Sequence, residues 1–230
     1  MTFTRQLMKG ASDSFPMLVG AAPFGVIYGA LALSAGLTPS QAVAMSLLVF
    51  AGSAQFIVLS LLGASASIIV ILLTTLVINL RHALYSATLQ PYVRHLSRRW
   101  RMMLAFGLTD ESFAVVQQKY LQAEQQPYRE AYFLGSVAMM YSGWQLFTLM
   151  GVAFGRAMPE LASWGLDFAM LATFIGIVVP QLKHRPQLCA ALVAAAVSLI
   201  TFSLPYKIGL MLSAVAGVLA GMHCQRWVRP

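Results

Sequence analysis

From residue 14 to residue 80 the chain contains no Asp, Glu, Lys or Arg, a run of 67 residues bounded by Asp13 and Arg81. A bilayer-spanning helix needs about 20 apolar residues, so this run alone exceeds what one membrane passage requires. No soluble domain buries such a stretch and still presents a charged surface. The whole chain agrees, with 59% hydrophobic and 10% charged residues, against about 25% charged in an ordinary globular protein. Lipid offers no partners to backbone N–H and C=O groups, which leaves helices or closed barrels as spanning structures. Barrel strands alternate apolar and polar residues, whereas these runs are continuously apolar. The expected fold is therefore all-α, a polytopic membrane protein.

Apolar segments fall at about 15–35, 41–63, 66–90, 102–118, 131–155, 164–181, 187–203 and 206–223. Short connections carrying Gly, Pro, Ser or charge join them. No composition shift marks a boundary, so residues 1–230 read as one integral membrane domain. Arg5 and Lys9 ahead of the first apolar run faintly imitate a secretory signal, but the many later spans make that run an uncleaved first helix. Lys and Arg collect in cytoplasmic loops of membrane proteins. Twelve of the fifteen basic residues meet that description: Arg5, Lys9, Arg94, Arg98, Arg99, Arg101, Lys119, Arg129, Lys183, Arg185, Arg226 and Arg229. Only Arg156 and Lys207 fall in loops assigned to the other side, and Arg81 lies within an apolar segment. Both termini are thus expected in the cytoplasm. The formal charge of +8 is explained by these loops and not by nucleic acid, which is not expected as a partner.

The charge bias creates a parity conflict. If the amino terminus and the Arg94 to Arg101 loop share one side, an even number of crossings separates them, yet three apolar segments lie between. One must turn back. Segment 41–63 is the candidate, because Ala51-Gly52-Ser53-Ala54-Gln55 interrupts two apolar arms each too short to span alone. Segment 102–118 has basic residues on both flanks and the interruption Phe106-Gly107-Leu108-Thr109-Asp110-Glu111. The expected architecture is about six full transmembrane helices plus two re-entrant or broken half-helix segments entering from opposite faces, with a possible inverted repeat. Discontinuous helices of this kind meet near the midplane of secondary transporters and offer free helix ends to substrate. The plainer alternative is two kinked spanning helices and one loop that violates the charge rule.

Arg81 stands in Val77-Ile78-Asn79-Leu80-Arg81-His82-Ala83-Leu84-Tyr85, where an arginine costs about 2.5–3.5 kcal/mol on insertion scales. It either snorkels to the cytoplasmic interface or binds a carboxylate in two-pronged fashion. Asp110 and Glu111 are the available acids, and adjacent helical residues point about 100° apart, so only one can face Arg81 squarely. Asp110 also has the character of a helix N-cap, with Glu111 favourable in the first turn. His82 titrates near neutrality unless it is simply packed. Gln55 and Asn79 are amides inside apolar segments, either interhelical hydrogen-bonding groups or ligands for an amino-acid backbone. Ser53, Gln55, Asn79, Arg81 and Asp110 are accordingly the candidate substrate-binding residues, and Asp110, Glu111 and His82 the candidate proton-coupling groups. Phe50, Phe56 and Phe106 are available to an apolar side chain.

Gly25 with Gly29, Gly151 with Gly155 and Gly217 with Gly221 have the spacing that lets helices approach closely. Pro16, Pro23, Pro180 and Pro205 mark starts, kinks or ends, and the four tryptophans are expected mostly at interfaces. Cys189 and Cys224 form no disulfide framework. No phosphate loop, nucleophile elbow, HExxH or metal-ligand spacing occurs, so neither a cofactor nor a metal is expected.

Three stretches, Leu48-Val49-Phe50-Ala51-Gly52-Ser53-Ala54-Gln55-Phe56, Asn79-Leu80-Arg81-His82-Ala83-Leu84-Tyr85 and Phe106-Gly107-Leu108-Thr109-Asp110-Glu111-Ser112-Phe113-Ala114, resemble the AzlC family. Those proteins are the large subunits of bacterial branched-chain amino acid exporters. The likeness continues through Leu166-Asp167-Phe168-Ala169 and from Val178 to Pro186. It implies export of valine, leucine, isoleucine or similar apolar amino acids such as methionine across the bacterial inner membrane. With no nucleotide motif and no nucleophile set in the sequence, the expected mechanism is a non-enzymatic secondary exporter driven by proton entry. The resemblance further implies an amino-acid substrate, the lipid bilayer and a small AzlD-type membrane subunit as partners, and leaves homo-oligomerisation open. The competing readings are a channel for a small polar solute, a structural membrane subunit, and an intramembrane enzyme using Asp110 or Glu111 with His82.

Overall fold

The computed structural model describes residues 2–122, 127–157, 175, 179, 182–204 and 208–228. Among these the regular structure is entirely helical. The helices are α1 (Phe3–Ser34), α2 (Pro39–Leu48), α3 (Gly52–Gly63), α4 (Ile68–Val93), α5 (Arg98–Phe106), α6 (Asp110–Gln122), α7 (Arg129–Ala157), α8 (Arg185–Ile200) and α9 (Ile208–Val228). Three of them, α1, α4 and α7, are long and apolar enough to cross a membrane. The expected segment at 164–181 lies almost wholly outside the described residues, as do Pro180, Pro205 and Trp164.

Two compact units are present, Met1–Ser65 with Ile78–Leu166, and Ala66–Val77 with Asp167–Pro230. The first is organised around α1 and α7. Helix α1 begins well before its apolar run because the Thr2 hydroxyl accepts the Arg5 amide at 3.4 Å, and it continues through Pro16 and Pro23. It ends at Gly36, whose φ of +88° carries the chain into the next turn. Thr38 then starts α2 with a reciprocal cap: its hydroxyl accepts from the Gln41 amide at 3.3 Å and its own amide donates to Gln41 Oε1 at 2.8 Å.

Helices α1 and α7 run parallel at backbone contact. A Cβ at Gly10 would strike the Tyr132 carbonyl, one at Gly25 would meet Phe147, and one at Gly29 would meet the Thr148 carbonyl and Val152 amide. Reciprocally, Gly135 lies against Leu7, Gly151 against Val26 and Gly155 against Ala30. The Gly25/Gly29 and Gly151/Gly155 pairs are thus two sides of one seam, as their spacing led us to expect. Ser14 donates to Ser136 across it at 2.6 Å, and the Tyr132 hydroxyl donates to Asp13 Oδ2 at 2.9 Å.

This parallel pair serves as a ruler for the two interrupted segments. Along α2, Ala42 accepts from the Tyr28 hydroxyl at 2.9 Å, Ser46 bonds Thr148 at 3.0 Å and Leu47 accepts from the Tyr141 hydroxyl at 3.1 Å. The chain therefore moves towards the N-terminal ends of α1 and α7. After residues 49–51 it turns back: Gly52 lies against the Trp144 ring, Gln55 bonds Trp144, and Phe56 packs on Tyr28. The second segment mirrors the first. Helix α5 starts with Trp100 on Phe3 and ends with Phe106 on Tyr141. Past residues 107–109, α6 runs down until the Tyr120 hydroxyl donates to the Arg129 carbonyl at the start of α7, at 2.9 Å. Each break falls at mid-height, and the two segments approach it from opposite ends.

Below the second break an apolar cluster fills the space between α4, α5, α6 and α7. Leu89, Leu104, Leu108, Val116, Tyr132 and Phe133 form its buried centre. In the second unit, α8 and α9 pack antiparallel, with Gly217 facing Ala194 and Gly221 facing Ala190. The Cys189 thiol donates to the Ala220 carbonyl at 3.7 Å and lies beside Cys224, and both cysteines are free thiols.

Candidate functional site

Two half-helices, α3 and α6, begin at mid-height, and Arg81 of α4 reaches both of them. Its Nη1 makes an ion pair with Asp110 Oδ2, and its Nη2 donates to Ser53 Oγ at 2.5 Å. Arg81 and Asp110 are each 28% exposed. The guanidinium is therefore turned inward to a carboxylate instead of snorkelling, and the cost of placing it within an apolar helix is offset by a charged partner.

Asp110 is free to do this because another residue starts the helix. Thr109 Oγ1 accepts from the Ser112 amide at 3.4 Å, and the Thr109 amide donates to Ser112 Oγ at 2.8 Å. The N-cap reading of Asp110 is thus corrected: Thr109 caps α6 with Ser112 as its reciprocal partner, and Asp110 sits in the first turn with its side chain directed to Arg81. Of the two acids, Asp110 takes the arginine, and Glu111 lies beside it in that turn.

The beginning of α3 differs. Its N-cap residue Ala51 has no side chain able to cap, so the first amides of α3 point from the helix start without a helical partner. The opposite half of this break is closed. The last carbonyls of α2 are met by one face of α7, where Tyr141 donates to Leu47 O and Gln145 Nε2 donates to Ser46 O at 3.1 Å. The amino-terminal turn of α3 therefore meets Arg81 through Ser53, while two carbonyls at the end of α2 are bonded by α7. On the site itself, Arg81 Nε and Asp110 Oδ1 are buried without a hydrogen-bond partner. Tyr85 of α4 stands beside this carboxylate, so a phenol as well as the guanidinium is within reach of Asp110.

The remaining candidates are placed less centrally. Gln55, two residues beyond Ser53, is fully buried, faces α7, accepts from Trp144 Nε1 at 3.1 Å and lies beside the Tyr28 hydroxyl. Asn79 Oδ1 is buried without a partner. His82 turns its Nδ1 back to the Asn79 carbonyl at 3.2 Å and packs against the Tyr85 ring. The first substrate-binding set therefore divides into Ser53, Arg81 and Asp110, which touch, and Gln55 and Asn79, which do not join them. Phe50 and Phe106 both pack on Tyr141, whereas Phe56 faces Tyr28. Sequence reasoning missed Tyr141, which contacts both interrupted segments, and Trp144, expected at an interface but only 8% exposed at the centre of α7. It missed Tyr85 as well, which lies beside Asp110 and stacks on Phe113. Among the described residues no His, Cys, Asp and Glu group suited to a metal occurs.

The family model for the AzlC protein matches residues 16–158, which contain both breaks and the Arg81 centre. The chain belongs to the AzlC family. It is 28% identical over 220 residues to the inner membrane protein YgaZ of Escherichia coli, covering 93% of this chain and 87% of that one. It is 34% identical to a membrane protein of Archaeoglobus fulgidus, covering 92% of each. The branched-chain amino acid transport protein AzlC of Bacillus subtilis is 28% identical over 188 residues, 80% of this chain and 71% of its own length. No solved structure matches.

Proposed function

We propose that this membrane protein is a secondary exporter of branched-chain or similar apolar amino acids, such as valine, leucine, isoleucine and methionine, with substrate held at the Arg81 and Asp110 centre. The observation that carries this reading is the pairing of Arg81 with Asp110 and Ser53 where two half-helices begin. A zwitterion taken out of water needs complementary groups for both of its charges. Here its carboxylate would take Arg81 and the uncapped amides of α3, a helix N-terminus being suited to anions. Its ammonium would take the Asp110 carboxylate.

In the bilayer the two interrupted segments would be re-entrant hairpins entering from opposite faces, with both termini and the arginine-rich loop in the cytoplasm of a bacterial cell. Inverted repeats are built this way. Proton entry through Asp110, Glu111 or His82 would drive export, each proton contributing about 2.3 kcal/mol per 100 mV of membrane potential. The B. subtilis relative's name supports the amino-acid class, and a small AzlD-type subunit would complete the carrier.

Radiolabelled valine efflux from cells, compared between wild type and Arg81→Ala, Asp110→Asn and Ser53→Ala at equal membrane abundance, tests the site. Export is expected to fail in the first two and weaken in the third. Undiminished efflux in all three overturns the assignment. Counterflow stimulation separates a carrier from a channel, which shows none.

A further inference from the structure

Tyr141 is the one described side chain whose ring packs on aromatic residues of both interrupted segments. Its centroid lies 5.0 Å from that of Phe50, which stands in the first break, and 5.9 Å from that of Phe106, which closes α5. Phe50 precedes Ser53 by three positions and Phe106 precedes Asp110 by four, so chain length alone keeps each within about 11–14 Å of a charged or polar anchor of the site. Phe50 is 8% exposed and Phe106 53%. The aromatic row thus has a closed floor and an open face. Of the other aromatic groups, Tyr85 stands beside Asp110 and stacks on Phe113, and Phe56 is set edge-on to Tyr28.

We propose that Tyr141 is the specificity-determining residue for substrate size, forming with Phe50 and Phe106 the apolar wall against which the amino-acid side chain rests. This rests on the Arg81 and Asp110 centre being the substrate site. An amino acid held there by both charges projects its side chain from the carbon between them, and the row is an apolar surface with one member a few residues along the chain from each anchor. The hydroxyl bond from Tyr141 to the Leu47 carbonyl at 3.1 Å fixes the ring, so the space beyond it is set by side-chain volume. An apolar pocket discriminates about 10- to 200-fold per methylene, which is enough to separate valine from alanine on one side and from phenylalanine on the other.

Counterflow in everted membrane vesicles from cells expressing the full chain, with alanine, valine, leucine and phenylalanine, reads the proposal directly. Tyr141→Ala is expected to raise kcat/KM for phenylalanine relative to valine by about tenfold or more, and Tyr141→Trp to shift preference towards alanine by a similar factor. Tyr141→Phe, which keeps the volume and loses the bond to Leu47, is expected to retain the wild-type ratios. Phe106→Ala, at the exposed end of the row, carries the same expectation as Tyr141→Ala and serves if that variant does not accumulate. Unchanged ratios in the Ala and Trp variants, or an equal loss for every substrate, assign Tyr141 a structural role only and overturn the inference while leaving the site reading intact. Wild-type vesicles that move none of the four overturn both.

Discussion

Arg81 meets Asp110 because Thr109, one residue earlier, takes over the start of α6. Had the aspartate been the cap, its oxygens would have been spent on the amides of its own helix, and the arginine would have had to leave the interior for the interface. The division of labour between Thr109 and Asp110 places a carboxylate at the start of α6, on the same guanidinium that reaches Ser53 at the start of α3.

Removing one member of this pair is expected to do more harm to the fold than removing both. Breaking a buried pair from one side costs about 3–5 kcal/mol, and the 28% exposure of each partner reduces this to about 2–3 kcal/mol. Arg81→Gln and Asp110→Asn should therefore each lower the thermal midpoint in detergent, and the double variant should recover much of it. Valine efflux should stay lost in the double variant. Recovery of efflux together with stability would show that the pair is structural.

Thr109→Ala is expected to cost about 1 kcal/mol of stability through the lost cap and to reduce efflux further than that cost explains, since Asp110 is then the nearest acceptor for the exposed amides. Thr109→Ser keeps the hydroxyl and should behave as wild type in both assays. Equal efflux in the Ala and Ser variants, at matched abundance, argues against any link between capping and the site.

Most of the architecture was legible because it follows from period-free quantities, charge and run length. The 67-residue run pointed to the membrane class, the basic loops to a segment that turns back, and the small and polar interruptions to two breaks in the helices, although the first break falls at 49–51 and Gly52 to Gln55, expected within it, are already helical in α3. The pairing of Arg81 was legible as a need but not as a choice. Nothing in the sequence distinguishes Asp110 from Glu111, or Thr109 from Asp110 as the cap, because these depend on which hydroxyl faces which amide. Gln55 looked as good a ligand as Ser53, and only the rotation of α3, which turns Gln55 to Trp144, separates them. Tyr141 escaped notice because an aromatic residue in an apolar helix carries no signal of its own, and its position between two breaks distant in sequence is a tertiary fact.

The α1 to α7 seam is expected to be the least tolerant part of the fold. A Cβ at Gly29 would collide with the backbone of Thr148, Gly151 and Val152, atoms that cannot rotate away, and overpacking of this kind costs about 1–3 kcal/mol. Gly29→Ala should lower the thermal midpoint. Gly20→Ala, on the same helix with nothing within 4 Å of the new carbon, should leave it unchanged or raise it through up to about 1 kcal/mol of helix propensity. Equal midpoints for the two variants would show that α1 and α7 do not meet at backbone contact.

The two fold-back segments carry a topological consequence. If the segment at 39–63 turns back at its break, Ser40 before α2 and Ser65 after α3 lie on the same side of the membrane, and Ser97 before α5 lies on the other. In a background with Cys189 and Cys224 replaced by Ser, single cysteines at Ser40 and Ser65 should both react with a membrane-impermeant maleimide added to intact spheroplasts, while one at Ser97 should react only in everted vesicles. Opposite labelling of the Ser40 and Ser65 positions would mean that α2 and α3 together form one kinked crossing. That outcome would move α4 and the arginine-rich loop to the other side, against twelve basic residues that now agree, and would leave Ser53 on a spanning helix with no free amide end to offer a substrate.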